Sequence, residues 1–195
     1  WYVIKGGSKQ YIPALIKGFE DRIRLNSPVQ SVRRDVSGVY VEVNGHIELF
    51  DQVIFACHSD QALAMLTEAT ATEVDVLSAL TYQSNEVILH TDTSLLPKRK
   101  SAWAAWNYRL EGNNNEQLVP PTLTYDMNIL QQIDSPQTFC VSLNSAAHID
   151  PNKVLKSYNY SHPVFTTESM AAQQERPCIN GKNNTWFCGA YWYNG

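Results

Sequence analysis

The passage from Leu25 to Ala64, LNSPVQSVRRDVSGVYVEVNGHIELFDQVIFACHSDQALA, constrains this chain more than any other. It holds three apolar runs, Val29–Val32, Val39–Val43 and Gln52–Cys57. Two punctuations separate them, Asp35–Gly38 and Asn44–Gly45. Val39, Val41 and Val43 alternate with Tyr40 and Glu42, the period of a strand with one face in a core. Asn44–Gly45 is the two-residue signal of a tight hairpin. The third run does not alternate. Val53, Ile54, Phe55, Ala56 and Cys57 are continuous, which predicts a strand covered on both faces, as in a parallel sheet. It ends in small residues and feeds a helical pattern from Ser59, with Ala62, Leu63, Met65 and Leu66 as the apolar stripe. A strand that stops at small residues before a helix leaves room for a ligand at its carboxyl end.

Length and charge narrow the function classes. At 195 residues the chain suits one large domain or two small ones, and its 44% hydrophobic content suffices for a core. The net charge is −4 and the largest basic cluster is Lys98–Arg99–Lys100. Nucleic acid, whose binding needs several phosphates neutralised together, is not an expected partner. No apolar run approaches the length of a membrane span, and a cytoplasmic location is expected. Cys57, Cys140, Cys178 and Cys188 have no CxxC spacing and read as reduced, small hydrophobes, so no metal site is expected. His58–Ser59–Asp60 are neighbours in sequence, which does not make a triad.

The remaining chain divides by pattern. Gly6–Gly7 permits left-handed backbone and close approach of a ligand. Ser8 is read as the N-cap of a helix from Lys9 to Gly18 or Phe19. Pro28 leads into a strand over Val29–Arg34, and Arg33–Arg34–Asp35 reads as a solvated edge. Thr72 is read as the cap of a helix ending at Leu80. Strands are expected at Tyr82–Asp92, Ala102–Leu110, Leu123–Asp126, Thr138–Leu143 and Ser157–Val164, with a polar turn at Gly112–Asn115. Such short spacings favour antiparallel order. Thr166 or Thr167 caps a helix through Gln174, and Thr185–Gly189 is a short buried strand ending in glycine.

Four pieces, GGSKQYIPALIKGF, IRLNSPVQSVRRDVSGVYV, DQVIFACHSDQAL and NTWFCGAYWYNG, lie in an order and spacing that resembles the FAD-dependent amine-oxidase and phytoene-desaturase group of flavoproteins. The resemblance implies an α+β (α/β) fold. Part of a Rossmann-like FAD-binding domain is expected in 1–66 and 185–195. An antiparallel-sheet substrate domain with flanking helices is expected in 67–184. It implies FAD as cofactor and a small-molecule substrate. The implied cofactor contacts are Gly6, Gly7 and Ser8 near the flavin, Val29 by its backbone at the adenine, Ala56 at the end of the buried strand, and Gly189 at the ribityl–phosphate region. His90 falls roughly where many amine oxidases place a lysine beside the flavin. It is the candidate catalytic residue, with a surface histidine as the other reading.

Two departures stand out. Ala190 and Tyr191 occupy the place where an acidic residue usually follows the glycine, and the His90 strand holds no lysine. The GxGxxG pyrophosphate turn is missing, so the chain is expected to be an internal piece of a longer enzyme and inactive alone. Tyr191–Trp192–Tyr193 either lines a cavity or packs. Trp103, Trp106 and Tyr108 are expected as core and cavity wall. Scarce charge and abundant aromatics in the second half favour an apolar or amphipathic substrate. A non-catalytic module holding a small ligand or a partner is the alternative class.

Overall fold

A computed structural model of the chain describes residues 2–110 and 122–193. In chain order the elements are α1 (Ile12–Ile16), β1 (Val29–Asp35), β2 (Gly38–Val43), β3 (His46–Phe50), β4 (Val53–Phe55), α2 (Ser59–Met65), α3 (Ala71–Ser78), β5 (Tyr82–His90), β6 (Trp106–Arg109), β7 (Thr122–Asp126), α4 (Met127–Gln131), β8 (Cys140–Leu143), β9 (Val154–Pro163), α5 (Thr167–Gln174), α6 (Arg176–Ile179) and β10 (Thr185–Phe187). They form two compact units, Ile23–Gln83 with His162–Gly195, and Trp1–Arg22 with Ser84–Ser161.

In the first of these units β1, β2 and β3 make an antiparallel meander. Asn44 and Gly45 sit at φ 52° and 76°, the paired left-handed angles of a tight hairpin turn. Gly38 is required too, since a Cβ there would lie 2.6 Å from the Phe50 carbonyl oxygen. Val32 and Val39 turn one face of the meander into a core shared with Phe55, Leu77, Phe187 and Trp192.

β4 pairs in parallel with β10, as a continuous apolar strand suggested, but it is not covered on both faces. Phe55 is buried while Ile54 is 66% exposed. Among the described residues β4 has one neighbouring strand and three residues, so the pleat sends alternate side chains to opposite sides and one side has no packing partner.

α3 is capped by Thr70, not by Thr72. Thr70 Oγ1 accepts the Glu73 N–H at 3.2 Å, and the Glu73 carboxylate accepts the Thr70 N–H at 2.8 Å. Both threonines have an acid three residues later. The choice falls to Thr70 because Glu73 is also held from outside the helix. Arg34, expected on a solvated edge, is buried at 5% side-chain exposure against Glu73 at 1%. Its guanidinium donates to both Glu73 oxygens at 2.5 and 2.9 Å, to the Thr185 hydroxyl at 3.2 Å and to the Glu68 carbonyl at 2.9 Å. Arg33 does lie at the surface, paired with Asp35 at 2.7 Å. α5 begins at the expected Thr166 cap, which accepts the Ser169 N–H at 3.1 Å. α6 was not expected. Pro177 stands in its first turn, where a missing N–H costs nothing.

The second unit is a five-stranded sheet of order β6-β7-β8-β5-β9. The β5–β8, β7–β8 and β6–β7 pairs are antiparallel. The strand expected from Ala102 is shorter, because Lys100–Ala102 winds as a 3-10 turn and the Trp103 indole donates to the Pro97 carbonyl at 2.8 Å. Asp126 ends β7 and starts α4 by accepting the N–H groups of Asn128 and Ile129. The helix expected from Lys9 is broken into a 3-10 turn at Ser8–Gln10, α1, and a second 3-10 turn at Glu20–Arg22. Ser8 is inside the first turn and Gly7 is its cap. The expected turn at Gly112–Asn115 lies outside the described residues. Among the described residues no helix is long and apolar enough to cross a membrane, and no cluster of His, Cys, Asp and Glu could hold a metal ion.

Burial works against the Glu73 carboxylate, and the bonds from Arg34 and Thr70 outweigh it, so its pKa is lowered. A lowered carboxylate pKa means stability that is complete above the unfolded value of about 4.5 and is lost as pH falls below it. Replacing Arg34→Met keeps the volume and strands Glu73 without its partner. Urea titration is expected to show a loss of about 3–5 kcal/mol. The double variant Arg34→Met, Glu73→Leu is expected to recover part of that loss.

Candidate functional site

Two of the expected cofactor positions meet. Val29, at the start of β1, and Ala56, one residue past β4, line a single cavity of about 310 Å³. Val32, Val41, Val53, Ile54, Phe55 and Met65 are further apolar walls of the same cavity. β1 is set beside β2 with a bulge between Val29 and Ser31, which turns the strand's first residue aside. Among the described residues no charged side chain lines this cavity. Cys57 is at its edge, and burial pushes that thiol's pKa up, so it is a neutral wall atom and not a nucleophile.

Beyond Ala56 the chain turns into α2 under local control. The His58 ring stacks on Tyr82 with centroids 4.3 Å apart, and the Tyr82 hydroxyl accepts the Ser59 N–H at 2.9 Å. Burial raises the Tyr82 pKa, so the phenol stays protonated.

Gly189 lies two residues past β10, next to Cys188, whose N–H donates to the Phe55 carbonyl at 2.9 Å. It is not among the residues lining the Val29–Ala56 cavity. A Cβ at Gly189 would stand 2.4 Å from Cε1 of Tyr191. The glycine is therefore required by the ring folded against it. Of the aromatic trio, Tyr191 and Trp192 are buried at 3% and 1% exposure, so these two pack in the core, while Tyr193 is exposed. Burial first of all holds the Tyr191 phenol well above its usual range.

Gly6, Gly7 and Ser8 belong to the other unit. Gly6 and Gly7 have φ 82° and 85°, and a Cβ on Gly6 would meet the Gln10 side chain at 2.9 Å. The Gly7 N–H closes a turn on the Ile4 carbonyl at 2.9 Å. The six expected cofactor positions thus fall three to each unit, and the Val29–Ala56 pair shares a cavity.

His90, in the sheet unit, is not a surface histidine: it is fully buried. The Asp92 N–H points at Nδ1 from 3.2 Å, so Nδ1 accepts and the proton resides on Nε2. Nε2 then donates to Ser142 Oγ at 2.8 Å, and Ser142 Oγ lies 2.7 Å from Thr124 Oγ1. Asn107, on β6, donates to the Thr124 carbonyl at 3.3 Å. A polar row thus crosses four strands inside the sheet. Sequence reading missed it, although Thr122, Thr124 and Asp126 alternate with Leu123 and Tyr125, with the polar residues as the buried set. Asp92, beside His90, is held at about 2 despite burial, by the N–H groups of Asp150 and Ser94 and by Lys153.

The same unit has a larger cavity of about 630 Å³ lined by Leu95, Leu96, Lys98, Trp106, Tyr108 and Arg109 among others. Trp106 and Tyr108 are exposed, so they are cavity wall and not core.

Burial lowers the His90 pKa, opposed by the Asp92 charge. A histidine with a depressed folded pKa is protonated first in the unfolded chain. Its contribution is present above about pH 6.5 and is lost as pH falls below it. His90→Gln is expected to flatten the fall in stability on acidification through that window, read by urea titration at several pH values.

A family model described as flavin containing amine oxidoreductase matches residues 1–133. A search of curated proteins finds no match. Among solved structures, putrescine oxidase bound to putrescine aligns with TM-score 0.59 at 11% identity, covering 95% of this chain and 47% of that one. Cyclohexylamine oxidase from Brevibacterium oxydans IH-35A aligns with TM-score 0.54 at 10% identity, covering 93% and 46%. A CLA-producing fatty acid isomerase from P. acnes aligns with TM-score 0.53 at 11% identity, covering 84% and 42%. The likeness at these identities is one of fold, and the chain spans less than half the length of each structure.

Proposed function

Because the chain belongs to the flavin-containing amine oxidoreductases, we propose that it works as part of an FAD-dependent oxidoreductase, with a portion of a Rossmann-like cofactor domain and a substrate domain. The observation that carries this reading is the meeting of Val29 and Ala56 in one apolar cavity at the carboxyl end of β4. That is where a parallel strand in an α/β arrangement leaves space for a nucleotide. In this reading the meander, β4 and β10 serve the cofactor, and the five-stranded sheet serves the substrate. The shared core supports assigning α3, α5 and α6 to the cofactor side as well, beyond the boundaries expected at 66/67 and 184/185.

The residues present fit one part of FAD. An apolar cavity without charged walls suits an uncharged ring such as adenine, held by the Val29 backbone and bounded by Ala56. It presents no cationic side chain to a pyrophosphate. Gly6, Gly7 and Ser8 would allow a second close backbone approach, supported by the left-handed angles of both glycines. Gly189 would act indirectly, by letting Tyr191 fold beneath the strand end. When bound, the flavin would take up the substrate's electrons, and the protein orients and shields the reactants. His90 has both ring nitrogens engaged, which supports a role in holding the sheet, not in moving protons.

An apolar or amphipathic substrate is the reading supported by the cavity beside Trp106 and Tyr108, with Leu95 and Leu96 on its wall and Lys98 and Arg109 able to meet an acidic head. The matched structures are named for putrescine, cyclohexylamine and fatty acid chemistry, so fold alone does not choose among substrates.

The protein as its gene encodes it is expected to purify with the absorbance bands of a flavin. Ala56→Trp fills the cavity and is expected to lower flavin retention at least about tenfold, a cost of roughly 1.4 kcal/mol, with far-UV circular dichroism unchanged. A colourless protein that takes up no added FAD would overturn the proposal. If it instead retained a small apolar ligand without redox activity, the non-catalytic module would replace it.

A further inference from the structure

β9 is the end strand of the five-stranded sheet, and its outer edge has no strand partner among the described residues. It runs for ten residues beside β5. The Thr91 N–H bonds the Lys153 carbonyl at 3.0 Å beyond one end, and the Val164 N–H bonds the Thr81 carbonyl at 2.9 Å beyond the other. Its residues from Leu155 to His162 are all exposed. A strand of this length with an open row of N–H and C=O groups is a template for another strand, and edges are normally blunted by charge, proline or a covering element. Here Lys156 and Pro163 lie near the two ends. The five residues between Lys156 and His162 hold neither a charge nor a proline.

Those five residues read Ser157–Tyr158–Asn159–Tyr160–Ser161, a palindrome. Tyr158 and Tyr160 share a face, with rings stacked at 5.5 Å and 7° between planes. Lys156 Nζ lies 5.6 Å from the Tyr158 centroid on that face. We propose that β9 pairs antiparallel with β9 of a second copy of this chain, about a two-fold axis at Asn159, so that the two sheets become one.

The occupant follows from the sequence symmetry. A two-fold contact sets residue i against residue j and j against i, so it suits a strand that reads alike in both directions. With the axis at Asn159, Tyr158 faces the partner's Tyr160, Ser157 faces the partner's Ser161, and Asn159 faces the partner's Asn159. The tyrosine pair on each strand continues into the pair on the other, making a ladder of four rings on one face. Aromatic and hydroxyl pairs directly opposed across strands are the stabilising kind. The strand's formal charge, Lys156, falls opposite the partner's His162, so no two ammonium groups oppose each other. A shift of one residue would set Tyr158 against the partner's Asn159 or Ser161 and break every pair at once.

Sedimentation velocity of the full chain across the micromolar range is expected to show a dimer that grows with concentration. Asn159→Asp and Asn159→Lys each place like charges across the axis, and each is expected to weaken the dimer about fivefold. An equal mixture of the two variants is expected to recover it, with circular dichroism confirming that both fold. In a Cys178→Ser background, Asn159→Cys is expected to form a disulfide-linked dimer on mild oxidation, since directly opposed residues lie within disulfide reach. A protein that remains monomeric at the highest concentration and forms no Asn159→Cys cross-link would overturn the proposal. So would a dimer that neither charge variant weakens.

Discussion

The unit built on the meander depends on one buried ion pair, Arg34 with Glu73. Taking both charges out of water is costly, and a bare pair in that setting often loses against apolar residues of the same size. Here the guanidinium reaches four acceptor atoms: two on Glu73, the Thr185 hydroxyl and the Glu68 carbonyl. The carboxylate also takes the Thr70 N–H and so completes the cap of α3. What results is definition of position more than raw stability. β1 belongs to one sheet and β10 to another, and Arg34 is a direct side-chain link from the first to the second. The helix start, the strand end and the second sheet must all agree before the pair is satisfied, so an alternative packing strands a charge.

That constraint changes the weight given to each candidate residue. β10 is fixed next to β4 by its register, and the chain beyond it must turn at Gly189 with Tyr191 folded back on the glycine. A glycine at this place is explained by packing alone and carries little independent weight for a cofactor. Val29 and Ala56 carry more. Val29 is 37% exposed beside an open apolar space, and Ala56 is the small, exposed residue that follows β4. Neither belongs to the shared hydrophobic core, so the packing of that core does not account for them.

How much was legible in the sequence follows the range of the interactions. Asn44–Gly45 specified its turn because the left-handed angles are local demands, and Thr166 specified a helix start for the same reason. The parallel pairing of Val53–Phe55 was legible from an apolar run without alternation. Arg34 was misread because its partners lie 39 and 151 positions along the chain. α3 starts at its Thr70 cap and not at Thr72, although both precede an acid at the right spacing, and the decision rests with Arg34, which holds Glu73 from outside the helix. The continuous apolar run Val53–Cys57 predicts cover for Ile54, while a three-residue strand with one neighbour among the described residues still obeys its pleat. Neither reading of His90, as a catalytic residue or as a surface histidine, includes its burial, because a single histidine gives no hint of Ser142, 52 positions away.

The five-stranded sheet solves a different problem with different means. Its inner row is hydroxyl, amide and imidazole where the other unit uses valine, leucine and phenylalanine. In the register of the sheet, Ile88, Ser142, Thr124 and Asn107 stand opposite one another, and His90 stands opposite Cys140 and then Asp126. A slip of one residue in any of these strands would turn its polar groups to the other face and leave the remaining ones buried without partners. Leucines would tolerate such a slip far better, since apolar contact has no direction. A fully satisfied polar row therefore holds register more strictly than a greasy one of equal burial. It also lies on β5, β8, β7 and β6 and leaves β9 out, so the end strand takes no part in the network. The sheet can gain or lose a neighbour at that edge without disturbing the bonds that define its interior.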